Sequence, residues 1–196
     1  MVILELSRKH KVILASTSSR RHELLHELGL EFTVVAPPIQ EEFVPHNIPR
    51  CEIAENIAVQ KANQFNNLDD NEILITADTI VWIDNKVLGK PQNYEDAFAM
   101  LQLLSGKTHY VITGVCIKSK DKIKVFHCET LVKFAEINEE EINYYIENYK
   151  PYDKAGAYGI QEWIGKIGIE YISGCYYNVM GLPVQKLYEE LLMFSY

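Results

Sequence analysis

EILITADTIVWIDNKVLGKP, residues Glu72 to Pro91, is the stretch whose reading decides the fold. Ile73 to Thr76 reads as a buried strand, of the kind found where a sheet is covered on both faces. IVWIDNKVL then predicts a hairpin with its turn at Asp84-Asn85-Lys86. A covered strand needs helices on either side, and the flanking sequence supplies them. Towards the N-terminus, Cys51 to Phe65 has helical spacing through Ile53, Ile57 and Ala58, with Lys61 and Ala62 one turn on. Before it, Pro37 to Pro49 contains four prolines and reads as a loop that carries Glu41 and Glu42. EFTVVAP and Lys11 to Ala15 read as strands. Between them Arg20 to Leu28 reads as a helix with Leu24, Leu25 and Leu28 on one face, stopped by Gly29.

Towards the C-terminus, Asn93 is placed to cap a helix from Tyr94 to about Leu104, with Glu95 and Asp96 at its positive end. THYVITGVCIKS and IKVFHCETLVKFAEI are β-rich runs joined by a charged turn. Glu139 to Tyr149 reads as a helix, KPYDKAGAYGIQ as a loop, Ile164 to Ile172 as another β-rich stretch, and the chain after Pro183 as an amphipathic helix. Helices and strands that alternate, with hairpins inserted, indicate an α/β domain built on a mixed sheet.

The bulk properties are those of an ordinary globular chain. Its 196 residues, 47% hydrophobic and 23% charged, suit one domain of residues 1–196, with room for two lobes. No apolar run approaches the roughly 20 residues of a membrane span. In MVILELSRKHKVILAS an apolar stretch interrupted by Glu5 precedes basic residues and a strand, the wrong order for a secretory signal. Cys51, Cys116, Cys128 and Cys175 are too scattered for a zinc pattern and read as reduced thiols, so a cytoplasmic location is expected. Twenty-seven acids against nineteen bases give a net charge of −8, which argues against a stable nucleic-acid partner. A small anionic ligand needs only a local cationic cluster.

LASTSSRRHELL, Leu14 to Leu25, supplies such a cluster. It passes from a strand into a helix, where unpaired backbone N–H groups and the helix dipole favour an anion. Ser16, Thr17, Ser18 and Ser19 add hydroxyls, and Arg20 and Arg21 add forked, permanently charged donors for phosphate oxygens. The competing reading is Ser18 or Ser19 as a simple N-cap with solvated arginines beyond it. The P-loop glycines are absent. In TADTIV, Asp78 is expected to end an apolar strand, where its carboxylate suits Mg²⁺ binding or the deprotonation of a water; a turn-forming aspartate is the alternative. Lys90 in LGKP and Lys61 on its helix are either solvated lysines or phosphate contacts. In DKAGAYGIQ, Gly156 and Gly159 permit close backbone approach and Gln161 offers an amide donor and acceptor, unless the segment is a plain glycine loop.

Taken in order, LASTSSRRHELL, Lys61-Ala62, ADTIV, LGKP, LSGKTHYVITGV, YDKAGAYGIQ and GCYYNVMGLPV make the chain resemble the Maf proteins over essentially its whole length. These are nucleoside triphosphate pyrophosphatases of the inosine-triphosphatase-like fold. The resemblance implies a mixed twisted sheet with flanking helices and a cleft between two lobes. It implies that Asp78 is the proton acceptor and that Arg20, Arg21, Lys61 and Lys90 surround the triphosphate. Glu41, or its neighbour Glu42, would join Asp78 in holding Mg²⁺ or Mn²⁺. Arg20, Thr79 and Gln161 match positions associated with substrate choice in the branch acting on dTTP and UTP. The one departure is Ser19, where the family usually has a proline that stiffens the helix entrance. The resemblance also suggests a homodimer.

The activity so implied is attack of water at the α-phosphorus, which releases pyrophosphate and leaves the monophosphate. An ordinary aspartate, with pKa about 3.9, is a weak base, so Asp78 is expected to take its proton from a water made more acidic by the metal. The rival reading is a non-catalytic nucleotide- or nucleic-acid-binding regulator of septum formation.

Overall fold

In the computed structural model, which describes residues 2–37 and 48–194, helix α1 (Val2–Lys9) leads into strand β1 (Lys11–Ala15), whose residues Val12 to Ala15 are buried. Helix α2 (Ser19–Glu27) buries Leu24 and Leu25, and just beyond it Gly29 takes a φ of 79°, a left-handed conformation open to glycine. Strand β2 (Phe32–Val35), helix α3 (Arg50–Ala62), strand β3 (Glu72–Ile83) and strand β4 (Lys86–Leu88) follow. Asp84 and Asn85, with φ of 49° and 59°, form the two-residue turn between β3 and β4. Lys86, expected in that turn, already pairs with Ile83.

Next come helix α4 (Tyr94–Leu104), strands β5 (Thr108–Lys118) and β6 (Ile123–Phe134) and helix α5 (Glu139–Tyr149). The Asn93 side chain accepts the Asp96 N–H at 2.8 Å, as its position predicted. Asn138 and Glu141 close a capping box at the start of α5. After a single 3₁₀ turn at Ala155–Ala157 come helix α6 (Trp163–Gly168), strand β7 (Ile169–Ser173), helix α7 (Tyr176–Met180) and helix α8 (Val184–Phe194).

The seven-stranded sheet runs β2-β1-β3-β5-β6-β7, with β4 paired to β3. β1 is parallel to both β2 and β3, whereas β3–β4 and β6–β7 are antiparallel, so the sheet is mixed and the fold is α/β. Two segments differ from expectation. Residues 164–168, read as β-rich, lie in α6: the buried pair Ile164 and Gly168 falls on one helical face, and a Cβ at Gly165 would sit 1.9 Å from the Ile160 carbonyl oxygen. The strand begins only at Ile169. The interrupted apolar start of the chain is the short helix α1, which buries Leu6. Among the described residues no helix is long and apolar enough to cross a membrane.

The chain divides into two compact units, and the division cuts β3 between Asp78 and Thr79. The first unit comprises Met1–Asp78, Thr113–Cys128 and Gly181–Tyr196, with a core that includes Ile13, Ala58, Ala62, Leu74 and Cys116. The second comprises Thr79–Ile112 and Glu129–Met180, with a core that includes Leu101, Phe134, Ile142, Tyr145 and Tyr158.

Candidate active site

The parallel pair β1 and β3 sets up the first unit's chemistry. Leu14 lies opposite Ile75, and β1 stops one residue later, at Ala15. β3 continues through Thr76 and Ala77 to Asp78, so Asp78 stands in mid-strand, just beyond the carboxyl end of its neighbour β1. The expectation that Asp78 ends a strand is therefore corrected. The residues after it stay in the ladder because Val81 to Ile83 pair with β4; what ends beside Asp78 is β1. The chain leaves β1 through α2 to β2 on one side and returns through α3 to β3 on the other. Strand order thus reverses at β1, and in open parallel sheets ligands bind outside the carboxyl ends at such a reversal. The loop Ser16 to Ser18 leaves β1 at this same end.

Helix α3 brings Lys61 to Asp78. Ala54, Ala58 and Ala62, four residues apart, put a stripe without long side chains on the helix face turned to the core. Opposite it Gly114 in β5 has no side chain; a Cβ there would fall 2.3 Å from the Ala54 carbonyl carbon and 2.4 Å from the Glu55 nitrogen. Thr76 Oγ1 donates to the Ala58 carbonyl oxygen at 2.6 Å and fixes the helix along the strand. One turn on, Lys61 Nζ donates to Asp78 Oδ1 at 2.7 Å. The side chains are 10% and 7% exposed, which removes the reading of Lys61 as a solvated lysine. A buried ion pair of this kind is costly to break, about 3–5 kcal/mol when one partner is removed, because a charge is then stranded.

The loop between β1 and α2 is braced from within the first unit. Ser16 is buried; its Oγ accepts the Ser18 N–H at 3.2 Å, and its carbonyl oxygen accepts from His22 Nε2 at 2.8 Å. Arg21 Nε donates to the Gly181 carbonyl oxygen at 2.8 Å. Ser18 occupies the N-cap position, but its side chain makes no capping bond, so a simple N-cap does not account for the hydroxyls. Ser19 is the first helical residue, the position at which a proline would be tolerated. Thr17 is exposed and Arg20 half-buried.

Thr79, Lys90 and Gln161 belong to the second unit. Thr79 is half-buried and Lys90 exposed. The Gly156 N–H donates to the Gly89 carbonyl oxygen at 3.0 Å, which ties the turn carrying Lys90 to the loop carrying Gln161. Gly156 has a φ of 68°, and a Cβ there would come within 2.8 Å of Val81 Cγ2, so the position demands glycine. Further along the loop the Tyr158 hydroxyl meets His109 Nε2 at 2.7 Å, and the Gly159 N–H donates to the Tyr145 hydroxyl at 3.0 Å. Burial drives the His109 pKa down to about 3, so the imidazole is neutral at ordinary pH, and burial pushes the Tyr158 phenol up. Gln161 Oε1 is buried and has no hydrogen-bond partner among the described residues, an unmet acceptor.

The structure thus brings Asp78 to Lys61 and the Lys90 turn to the Gln161 loop. Glu41 and its alternative Glu42 lie outside the described residues. Among the described residues no group of three or more His, Cys, Asp or Glu is placed to hold a metal ion. Sequence reasoning missed His22, Gly114, His109, Tyr145 and Glu162, each of which acts on a partner distant along the chain or on backbone, and so leaves no local pattern.

A family model described as Maf-like protein matches residues 11–194. A dTTP/UTP pyrophosphatase from Parabacteroides distasonis is 54% identical over 193 residues, covering 98% of this chain and 100% of that one. A dTTP/UTP pyrophosphatase from Phocaeicola vulgatus is 55% identical over 190 residues, covering 96% and 98%. Among solved structures, a nucleoside-triphosphatase / dITP/XTP pyrophosphatase from Mycobacterium abscessus is 13% identical with a TM-score of 0.40, covering 65% of this chain and 74% of that one, too distant to bear on the site.

Proposed function

The chain belongs to the Maf-like protein family, and from that premise we propose that it is a nucleoside triphosphate pyrophosphatase that hydrolyses dTTP and UTP to the monophosphate and pyrophosphate. The observation that carries the chemistry is the buried Lys61–Asp78 pair beside the carboxyl end of β1, the end from which the serine- and arginine-bearing loop departs. A non-catalytic nucleotide sensor has no need of a buried carboxylate held in place by a lysine. A single family model that spans both units supports one functional domain.

In this reading the loop Ser16 to Ser18 and the start of α2 bind the triphosphate through backbone N–H groups, hydroxyls and the Arg20 and Arg21 guanidinium groups. Lys90 adds positive charge to the same substrate. A water attacks the α-phosphorus, the bond to the bridging oxygen of the β-phosphate breaks, and pyrophosphate leaves. Asp78 accepts the water's proton, and Lys61 holds the carboxylate in place at 2.7 Å. A divalent cation, Mg²⁺ or Mn²⁺, would supply charge neutralisation at the α-phosphate. The residues fit such an ion: Mg²⁺ is commonly held by one or two carboxylates together with substrate phosphates, and Asp78 is one such carboxylate. Glu41 or Glu42 is proposed as the second.

Thymine and uracil present acceptor, donor, acceptor along O2, N3–H and O4. The Gln161 amide can pair with an adjacent donor and acceptor on that edge, and its unmet Oε1 suits the N3–H. Thr79 and Arg20 are proposed to share in substrate choice. A homodimer in the cytoplasm completes the reading. Its test is pyrophosphate release by the purified protein with Mg²⁺ over all common nucleoside triphosphates. dTTP and UTP are expected well ahead of ATP and GTP, with CTP trailing by roughly 5- to 150-fold for one mismatched buried hydrogen bond. Equal kcat/KM for dTTP, CTP and GTP would remove the pyrimidine assignment, and no pyrophosphate from any nucleotide would remove the enzyme.

A further inference from the structure

Below the loop that carries Gln161 lies a hydrogen-bonded cluster that the reaction does not use. Tyr145, on α5, is fully buried, and its hydroxyl accepts the Gly159 N–H at 3.0 Å while donating to Glu162 Oε2. The other Glu162 oxygen, Oε1, takes Lys154 Nζ at 3.1 Å, and Lys154, itself buried, also reaches Asp153 Oδ1 at 2.7 Å. Burial, reinforced by the Glu162 carboxylate, pushes the Tyr145 phenol up, so it stays a donor to Glu162 at any working pH. Gly159 is part of the fit: a Cβ there would lie 2.8 Å from Glu162 Cδ and 2.9 Å from its Oε2.

The connectivity follows the loop. Lys154 and Glu162 stand at its two ends and are joined to each other; Gly159, in its middle, is joined through Tyr145 to Glu162, and only by way of Glu162 to Lys154. Gln161 is bonded directly to Glu162 along the chain. A buried lysine and tyrosine meeting on a half-buried glutamate form a costly arrangement unless every member is satisfied, and here the satisfied partners all belong to one loop and the helix that braces it. We infer that Tyr145, Glu162 and Lys154 are positioning residues for base selection, which fix the Gln161 amide by clamping the loop on which it sits. The inference rests on the reading of Gln161 as the base-reading amide.

The experiment compares kcat and KM for dTTP and CTP, with Mg²⁺, in the wild type, Gln161→Ala, Tyr145→Phe, Glu162→Gln and the double variant Tyr145→Phe/Gln161→Ala, each checked by thermal melting. Tyr145→Phe keeps the ring and removes the hydroxyl. Glu162→Gln keeps the shape but puts an NH2 donor in place of one of the two accepting oxygens, so either the Tyr145 hydroxyl or the Lys154 ammonium faces a donor. Either variant is expected to reduce the dTTP:CTP ratio of kcat/KM by about fivefold or more. KM for dTTP should rise while kcat changes by less than about threefold, because the groups at the reacting phosphorus are untouched. If the cluster acts through Gln161, the double variant discriminates no worse than Gln161→Ala alone, whereas independent effects would multiply. Should Tyr145→Phe not fold, Glu162→Gln and its double variant with Gln161→Ala give the same reading. A dTTP:CTP ratio that collapses in Gln161→Ala yet holds in folded Tyr145→Phe and Glu162→Gln overturns the inference alone, as does a double variant whose losses multiply. A ratio that survives Gln161→Ala, or a wild type that releases no pyrophosphate, overturns the parent reading together with it.

Discussion

Gly114→Ala adds one methyl group at the place where α3 and β5 come closest. The new Cβ would stand 2.3 Å from the Ala54 carbonyl carbon, 2.4 Å from its oxygen and 2.4 Å from the Glu55 nitrogen, about 1 Å short of ordinary contact. All three opposing atoms are backbone, so no rotamer change makes room; helix and strand must separate. Overpacking of this kind costs about 1–3 kcal/mol. For a chain of this size that is a melting temperature lower by roughly 2–12 °C. The more telling effect is on the reaction. Ala54 and Lys61 share α3, and Thr76 Oγ1 on the Ala58 carbonyl oxygen holds that helix at the strand bearing Asp78. A helix pushed off by about 1 Å carries Lys61 with it, and misplacement of that size can reduce turnover by about 10²-fold although the substitution touches no substrate. The assay is pyrophosphate release from dTTP beside a thermal melt. A Gly114→Ala protein with unchanged melting temperature and full kcat/KM would refute the reasoning that this contact sets the position of Lys61.

Asp78→Asn keeps the shape and removes the basic oxygen; turnover on dTTP is expected to fall by at least about 10²-fold, and near wild-type turnover in a folded variant would sink the assignment. Arg21→Ala removes the bond to the Gly181 carbonyl oxygen and the proposed phosphate donor together. Its kcat/KM should fall by the equivalent of about 2–4 kcal/mol, and a stable, fully active variant would return Arg21 to a structural brace. His109, held down to about 3 in the folded protein against 6.5 in an open chain, binds its proton in the unfolded state first. Between those two values stability should therefore fall as pH falls, by up to about 1.4 kcal/mol per pH unit from this group. Denaturant melts of wild type and His109→Gln across that window check it: the variant should show the shallower acid slope, and equal slopes would contradict the buried neutral imidazole.

What the sequence revealed and what it hid divide along physical lines. Local rules placed α4 and α5 closely, because the cap, the first-turn charges and the apolar spacing of a helix all lie within one short stretch. The β3–β4 hairpin was legible for the same reason, misplaced by one residue only at Lys86. α6 was hidden because Ile164, Ile167 and Ile169 have the composition of a strand, while the contact that turns the chain, Gly165 against the Ile160 carbonyl, is a matter of packing. At the site, Asp78 stood out by type, but its place in mid-strand depended on where β1 stops, which only register reveals. Lys61 and Asp78 are 17 residues apart and looked like separate, weak signals until the helix was laid on the sheet. Tyr145 and Glu162 had no signal at all, since a tyrosine on a helix and a glutamate after a loop are ordinary until their atoms meet.

The central claim is that water attacks the α-phosphorus with Asp78 as the acceptor of its proton, and hydrolysis of dTTP in ¹⁸O-labelled water tests it most directly. Mass spectrometry of the products should find one ¹⁸O atom in dTMP and none in pyrophosphate, with labelled dTMP formed at least about 10²-fold more slowly by Asp78→Asn. Label in the pyrophosphate, or dTDP and phosphate in place of dTMP and pyrophosphate, would contradict the account.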